Sequence, residues 1–175
     1  MNQHRNHLPL PLLLILAFLP GLSLQAETKL ELAAPFTDNT ILQRQAEVPV
    51  WGWAEPGREV EVNFAGQKKT AKADADGKWM LKLDPLKASA NERDFRISAS
   101  DGQSVTLEGV LVGEVWFSSG QSNMVWLANR SSVRELASEI AKSEKDIPIR
   151  EINIATKSAL YPQDQAQSEE GWKKS

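Results

Sequence analysis

Turn signals recur about every 8–12 residues between Glu27 and Val110, and short alternating apolar runs lie between them. Val48 and Val50 alternate ahead of Trp51-Gly52-Trp53, and Pro56-Gly57 then turns the chain. Val60, Val62 and Phe64 alternate next and are closed by Ala65-Gly66. Asp76-Gly77 has the chemistry of a two-residue hairpin, and Trp79, Leu81 and Leu83 follow it. Phe95 with Ile97, and Val105 with Leu107, flank a further turn at Asp101-Gly102. A period of two places alternate side chains on one face of a sheet. Many short strands at this spacing favour an antiparallel β-sandwich over a parallel sheet.

Two features of this half invite a functional reading. Asp74-Ala75-Asp76-Gly77 looks like part of a calcium loop. An EF-hand needs oxygen ligands at positions 1 and 12 with glycine at 6. With Gly77 at position 6, those positions are Lys72 and Leu83, so a plain turn is expected. Trp51, Trp53 and Trp79 have faces suited to stacking on sugar rings. Trp79 alternates with leucines and is expected in the core, while Trp51 and Trp53 fit either role.

The pattern changes near Leu111. Val110-Leu111-Val112-Gly113-Glu114-Val115-Trp116-Phe117 is an almost continuous apolar run, as in a strand buried on both faces of a parallel sheet. It runs into Ser118-Ser119-Gly120-Gln121-Ser122-Asn123-Met124. A small-residue turn after a buried strand projects a serine hydroxyl at the strand's carboxyl end, where open α/β sheets bind ligands. Backbone N–H groups there can face an oxyanion. The sequence is not G-x-S-x-G, because Met124 stands where the second glycine belongs, so an ordinary α/β-hydrolase elbow is not supported.

A helix is expected next. Ser132 and Glu135 fit a capping box, and Val133, Leu136, Ala137, Ile140 and Ala141 form one apolar face. Ile147-Pro148 ends it, and Ile149, Ile152 and Ile154 suggest another strand. The expected fold is therefore mixed: an antiparallel β-sandwich-like domain over 27–110, then a strand–helix–strand crossover opening a parallel α/β sheet over 111–175.

Residues 1–26 read as a secretory signal, with Arg5 in a basic start, an apolar stretch from Leu8 to Leu19, and Pro20-Gly21 as a breaker. The stretch is shorter than the roughly twenty apolar residues a membrane-spanning helix needs. Cleavage after Ala26, or alternatively after Ser23, gives a periplasmic or extracellular protein with no stable membrane insertion. There is no cysteine, which excludes disulfides and thiolate metal sites. The sequence pI near 5.5 gives no global basic signature, and no nucleic-acid partner is expected. The two histidines are His4 and His7, so a chain cleaved after Ala26 contains none.

The block VLVGEVWFSSGQSNM, Val110 to Met124, resembles the nucleophile block of the sialate O-acetylesterase family, a branch of the SGNH hydrolases. PFTDNTILQR (Pro35 to Arg44), PVWGWAEPG (Pro49 to Gly57) and DADGKW (Asp74 to Trp79) extend the resemblance over almost the whole mature chain. The bare GQSN tetrad is shared with acetylxylan-esterase-like relatives. The resemblance implies a serine esterase that removes O-acetyl groups from carbohydrates, typically sialic acids. It assigns Ser122 as nucleophile, with Gly120, Gln121 and Asn123 as turn and oxyanion neighbours. It also implies an SGNH-type α/β sheet behind an accessory β-domain. The family often has cysteine before the glycine and glutamate after the methionine; here Ser119 and Val125 stand there.

Serine at its free pKa needs an adjacent base. The family supplies it as histidine in a later Asp-x-x-His block, which has no match here. A Ser-x-x-Lys alternative fails because position 125 is valine. A one-helix piece of parallel sheet also lacks cover on both faces. The expectation is the N-terminal part of a longer secreted esterase, inactive as given, acting on O-acetylated sialic acid or another acetylated glycan. No metal or organic cofactor is expected. The alternatives are a non-catalytic carbohydrate-binding β-sandwich protein and an acetylxylan-type esterase fragment.

Overall fold

The computed structural model describes residues 29–120, 132–143, 148–155, 157–166, 168 and 170–174. Two sheets pack face to face. The smaller has the order β1-β3-β6, made of β1 (Glu31–Leu32), β3 (Val48–Trp53) and β6 (Lys78–Leu83). The larger contains β2 (Ile41–Gln43), β4 (Glu59–Phe64), β5 (Gln67–Lys72), β7 (Ser89–Ala99) and β8 (Ser104–Gly113), in the order β2-β8-β7-β4-β5. The period-two pattern sets the faces. Val60, Val62 and Phe64 of β4, with Phe95 and Ile97 of β7, meet Val50, Trp79 and Leu83 of the opposite sheet in one core. Phe64 and Phe95 lie 5.2 Å apart between ring centroids, in the range of favourable aromatic pairs.

Turn chemistry acts in two ways. Ala65 (φ 51°) and Gly66 (φ 80°) form a two-residue loop with two left-handed residues between β4 and β5, paired Phe64↔Gln67. Asp76-Gly77 carries the chain from β5 in one sheet to β6 in the other, so the expected hairpin is corrected to an inter-sheet crossing. Asp74 Oδ1 accepts the Asp76 and Lys78 N–H groups at 2.9 Å, and Gly77 has φ 79°. A side chain there would place its Cβ 2.6 Å from the Ala54 carbonyl oxygen.

The parallel sheet expected for 111–175 is not seen among the described residues. Val110, Leu111 and Val112 are buried on both faces, but as the end of β8 in the sandwich. Here β2 pairs in parallel, Ile41↔Leu111 to Gln43↔Gly113. Leu111 lines a shallow cavity together with Ile41, Ala90 and Pro148. A sequence division between 110 and 111 therefore falls inside a continuous strand. Glu114–Gly120 are exposed and form no strand. The helix is present as α1 (Arg134–Ser143), with Glu135 in its first turn and Lys142 in its last, favourable for the helix dipole. Instead of a second parallel strand, β9 (Arg150–Glu151) pairs antiparallel with β10 (Lys173–Lys174). The strand–helix–strand crossover is thus not formed among the described residues.

Candidate functional site

The site expected from sequence begins where β8 leaves the sandwich. Gly113 is the last β8 residue paired with β2, opposite Gln43. Its carbonyl accepts the Arg44 N–H at 2.9 Å. The Gln43 side chain then joins two neighbours: its Oε1 accepts the Val115 N–H at 2.8 Å, and its Nε2 donates to Glu114 Oε2 at 3.0 Å. Arg44 Nε donates to the other Glu114 carboxylate oxygen at 2.5 Å. These bonds hold the Glu114 carboxyl below its ordinary value, that from Gln43 first and that from Arg44 second. Charge-assisted bonds of this kind are the stronger class.

Gly120 lies exposed at the end of the segment that follows. Gln121, Ser122 and Asn123 fall outside the described residues, as do Met124 to Ser131. Gln43, Arg44 and Glu114 were not singled out as site residues by the sequence reading. They are some 70 positions apart in the chain, and no local pattern joins them. The signal that could have found them is that ILQR and GEVW both sit inside the segments that carry the family resemblance.

The chain after Pro148 returns to the sandwich. The Arg150 side chain is only 2% exposed and donates to Glu92 at 2.6 Å and to Asn39 Oδ1 at 3.3 Å. Lys174 Nζ reaches the same Glu92 oxygen at 2.6 Å. Trp172 donates from Nε1 to the Pro35 carbonyl at 2.7 Å and from its backbone N–H to Thr37 Oγ1 at 3.1 Å. Asp164 accepts from Trp51 Nε1 through its carbonyl and pairs with Lys78 through its carboxylate. The described residues between 150 and 174 thus form a strap over the edge where Pro35 to Asn39 enter the sandwich.

The tryptophans divide accordingly. Trp79 is 1% exposed and fully part of the core. Trp51 packs edge-on against Phe36 at 5.2 Å, and its indole N–H is taken by the strap. Trp53 is half-buried against the core. Among the described residues there is no group of three or more acidic or histidine side chains placed to hold a metal ion.

No protein-family model matches the chain. A sialate O-acetylesterase from Mus musculus is 33% identical over 104 residues, which are 52% of this chain and 19% of that protein. The sialate O-acetylesterase of Homo sapiens is 31% identical over 105 residues, 53% of this chain and again 19% of its own length. Among solved structures, a carbohydrate acetylesterase from Xanthomonas citri superposes with a TM-score of 0.71 at 31% identity. That superposition covers 83% of this chain and 32% of the neighbour. The chain thus spans about a fifth of the curated relatives it matches and about a third of the structural neighbour.

Proposed function

We propose that this chain is the N-terminal part of a secreted carbohydrate esterase that removes O-acetyl groups from sialic acids, with Ser122 as the nucleophile. The observation that carries the reading is the joint similarity, in sequence and in fold, to carbohydrate acetylesterases. The Gly120-to-Met124 block supplies the chemistry that such an enzyme needs. Ser122 Oγ attacks the acetyl carbonyl, the sugar hydroxyl leaves, and water releases acetate from the acyl-enzyme. The Ser122 backbone N–H is one oxyanion donor. Gln121 and Asn123 shape the turn. The base is a histidine from later in the parent protein, since none follows His7 here.

Exposed apolar groups support the fragment reading. Trp116 is 86% and Phe117 88% exposed, and Leu136 and Ile140 of α1 are both more than half exposed. A run of this kind belongs under cover. In the parent, the remaining hydrolase layer covers it, and the part beginning after Gly113 joins that layer. Residues 1–26 direct the protein to the periplasm or cell exterior and are removed. A sugar platform on the sandwich is disfavoured, because Trp79 lies in the core and Trp51 under the strap.

The test is acetate release from an O-acetylated sialoside by the full-length parent. Ser122→Ala is expected to lower kcat by about three orders of magnitude or more. Wild-type rates in that variant overturn the reading. Equal or faster turnover of acetylated xylan shifts the substrate to the xylan class.

A further inference from the structure

The Gln43–Arg44–Glu114 bonds lie beyond the last β2–β8 pair and add nothing to the sandwich core. The Gln43 amide is engaged at both ends, accepting from Val115 N–H and donating to Glu114. Its Nε2 also lies 3.1 Å from the Arg44 carbonyl, to which it donates. Arg44 grips the chain twice, by its own N–H on the Gly113 carbonyl and by its guanidinium on Glu114. Consecutive residues 113, 114 and 115 are therefore each held by a different bond. A slip of one residue would break all of them together. Among the described residues, Trp116–Gly120 carry no hydrogen bond to one another or to the sandwich, so the clamp is the last hydrogen-bonded point of the described chain ahead of Gln121.

We propose that Gln43, Arg44 and Glu114 are positioning residues for catalysis, setting the register of the chain that leads into Ser122. The proposal rests on the esterase reading above. Val115 stands seven positions before Ser122, and Val115-Trp116-Phe117 has the pattern of a buried strand. These residues form no strand here; where the longer protein continues them as one, that strand transmits displacement along its axis. A one-residue slip moves it by about 3.3 Å and turns every side chain to the other face. A reacting atom misplaced by about 1 Å can cost about 100-fold in rate. The accessory sandwich would thus serve the reaction through its edge strand β2, without touching substrate.

The experiment uses the full-length parent and O-acetylated sialoside, with kcat, KM and thermal midpoint measured for each variant. Gln43→Leu removes all three amide bonds, and Glu114→Ala removes the shared acceptor at an exposed position. Each is expected to lower kcat about tenfold or more, with KM within about twofold and a near-native midpoint. Glu114→Gln keeps an acceptor and recovers most of that loss. The double variant Gln43→Leu/Glu114→Ala is no slower than the worse single one, because the three residues act as a unit. Wild-type kcat in a folded Glu114→Ala protein overturns the proposal, as does a loss confined to KM. Should Gln43→Leu fail to fold, Glu114→Ala and Glu114→Gln decide alone. Ser122→Ala separates the two levels. Activity retained in that variant removes the esterase reading and the clamp with it. Activity lost there but intact in the clamp variants removes the clamp only.

Discussion

The sandwich and the stretch after Gly113 have similar apolar patterning and opposite burial. In the sandwich, nearly every side chain expected to face inward does so: Val60, Val62, Leu83 and Val110 are fully buried. Beyond Gly113, the run Val115-Trp116-Phe117 is exposed, as are Val133 and, in α1, Leu136 and Ile140. The difference lies in what faces each pattern. Both sheets of the sandwich are encoded between residues 30 and 113, so each apolar face finds a second layer. The later segment encodes apolar faces for which the described residues provide no partner.

The largest expected effect sets Trp79 against Trp116. Trp79→Ala is expected to destabilise the sandwich by about 3–5 kcal/mol, measured by denaturant unfolding. Trp116→Ala in the same chain should change stability by less than about 0.5 kcal/mol, since the ring is already in water. In the longer protein proposed above, Trp116→Ala should instead approach the cost of Trp79→Ala. An equal, small effect of Trp116→Ala in both forms would mean that no layer covers this run, and the comparison would fail.

That contrast also shows which features could be read from sequence. The alternation in β4 and β6 and the apolar period of α1 are local, and the structure follows them. Asp76-Gly77 was half legible. Its chemistry specifies a left-handed residue, but the strands it joins lie in different sheets, and turn residues do not encode pairing. Double-sided burial at Val110 to Val112 was also legible, although its cause was not. Part of it comes from parallel pairing with β2, some 70 residues earlier. The clamp at Gln43, Arg44 and Glu114 was invisible for the same reason. Ser122 lies outside the described residues, and its reading as a nucleophile rests on its resemblance block, since serine–glycine turns are common in loops.

The strap sharpens the comparison, because it is a polar segment that does find the sandwich. Trp172 fixes it by two hydrogen bonds, and neither joins two side chains. Losing the indole is expected to weaken docking by about 1–2 kcal/mol, or roughly tenfold more local opening. Trypsin cleavage after Lys157 in Trp172→Ala should rise by about that factor, with the global unfolding midpoint nearly unchanged. Trp172→Phe keeps the ring packing and loses only the bond to Pro35, so its increase should be smaller. A coincident fall in global stability would instead make the strap part of the sandwich's cooperative unit.

The smallest effect is electrostatic and concerns the same strap. The Glu92 carboxyl is held below its ordinary 4.5, first by the hydrogen bond from Lys174 and then by that from Arg150. A carboxylate whose pKa is lowered by folding stabilises the folded form above its unfolded pKa. That contribution is lost as pH falls through the lowered folded value. Strap docking should therefore be constant from neutral pH down to about 4.5 and weaken below it. Glu92 is exposed, so solvent and salt screen the pair and the effect is modest. Arg150 gives it an asymmetric consequence, because its side chain is nearly fully buried while its acceptor is in water. Protonating Glu92 leaves a buried guanidinium with Asn39 as its remaining hydrogen-bond acceptor in this cluster. Glu92→Gln should reproduce the acid state at neutral pH, raising trypsin cleavage in the strap and flattening its pH dependence below 4.5. An unchanged pH dependence in Glu92→Gln would assign the acid sensitivity to another carboxylate.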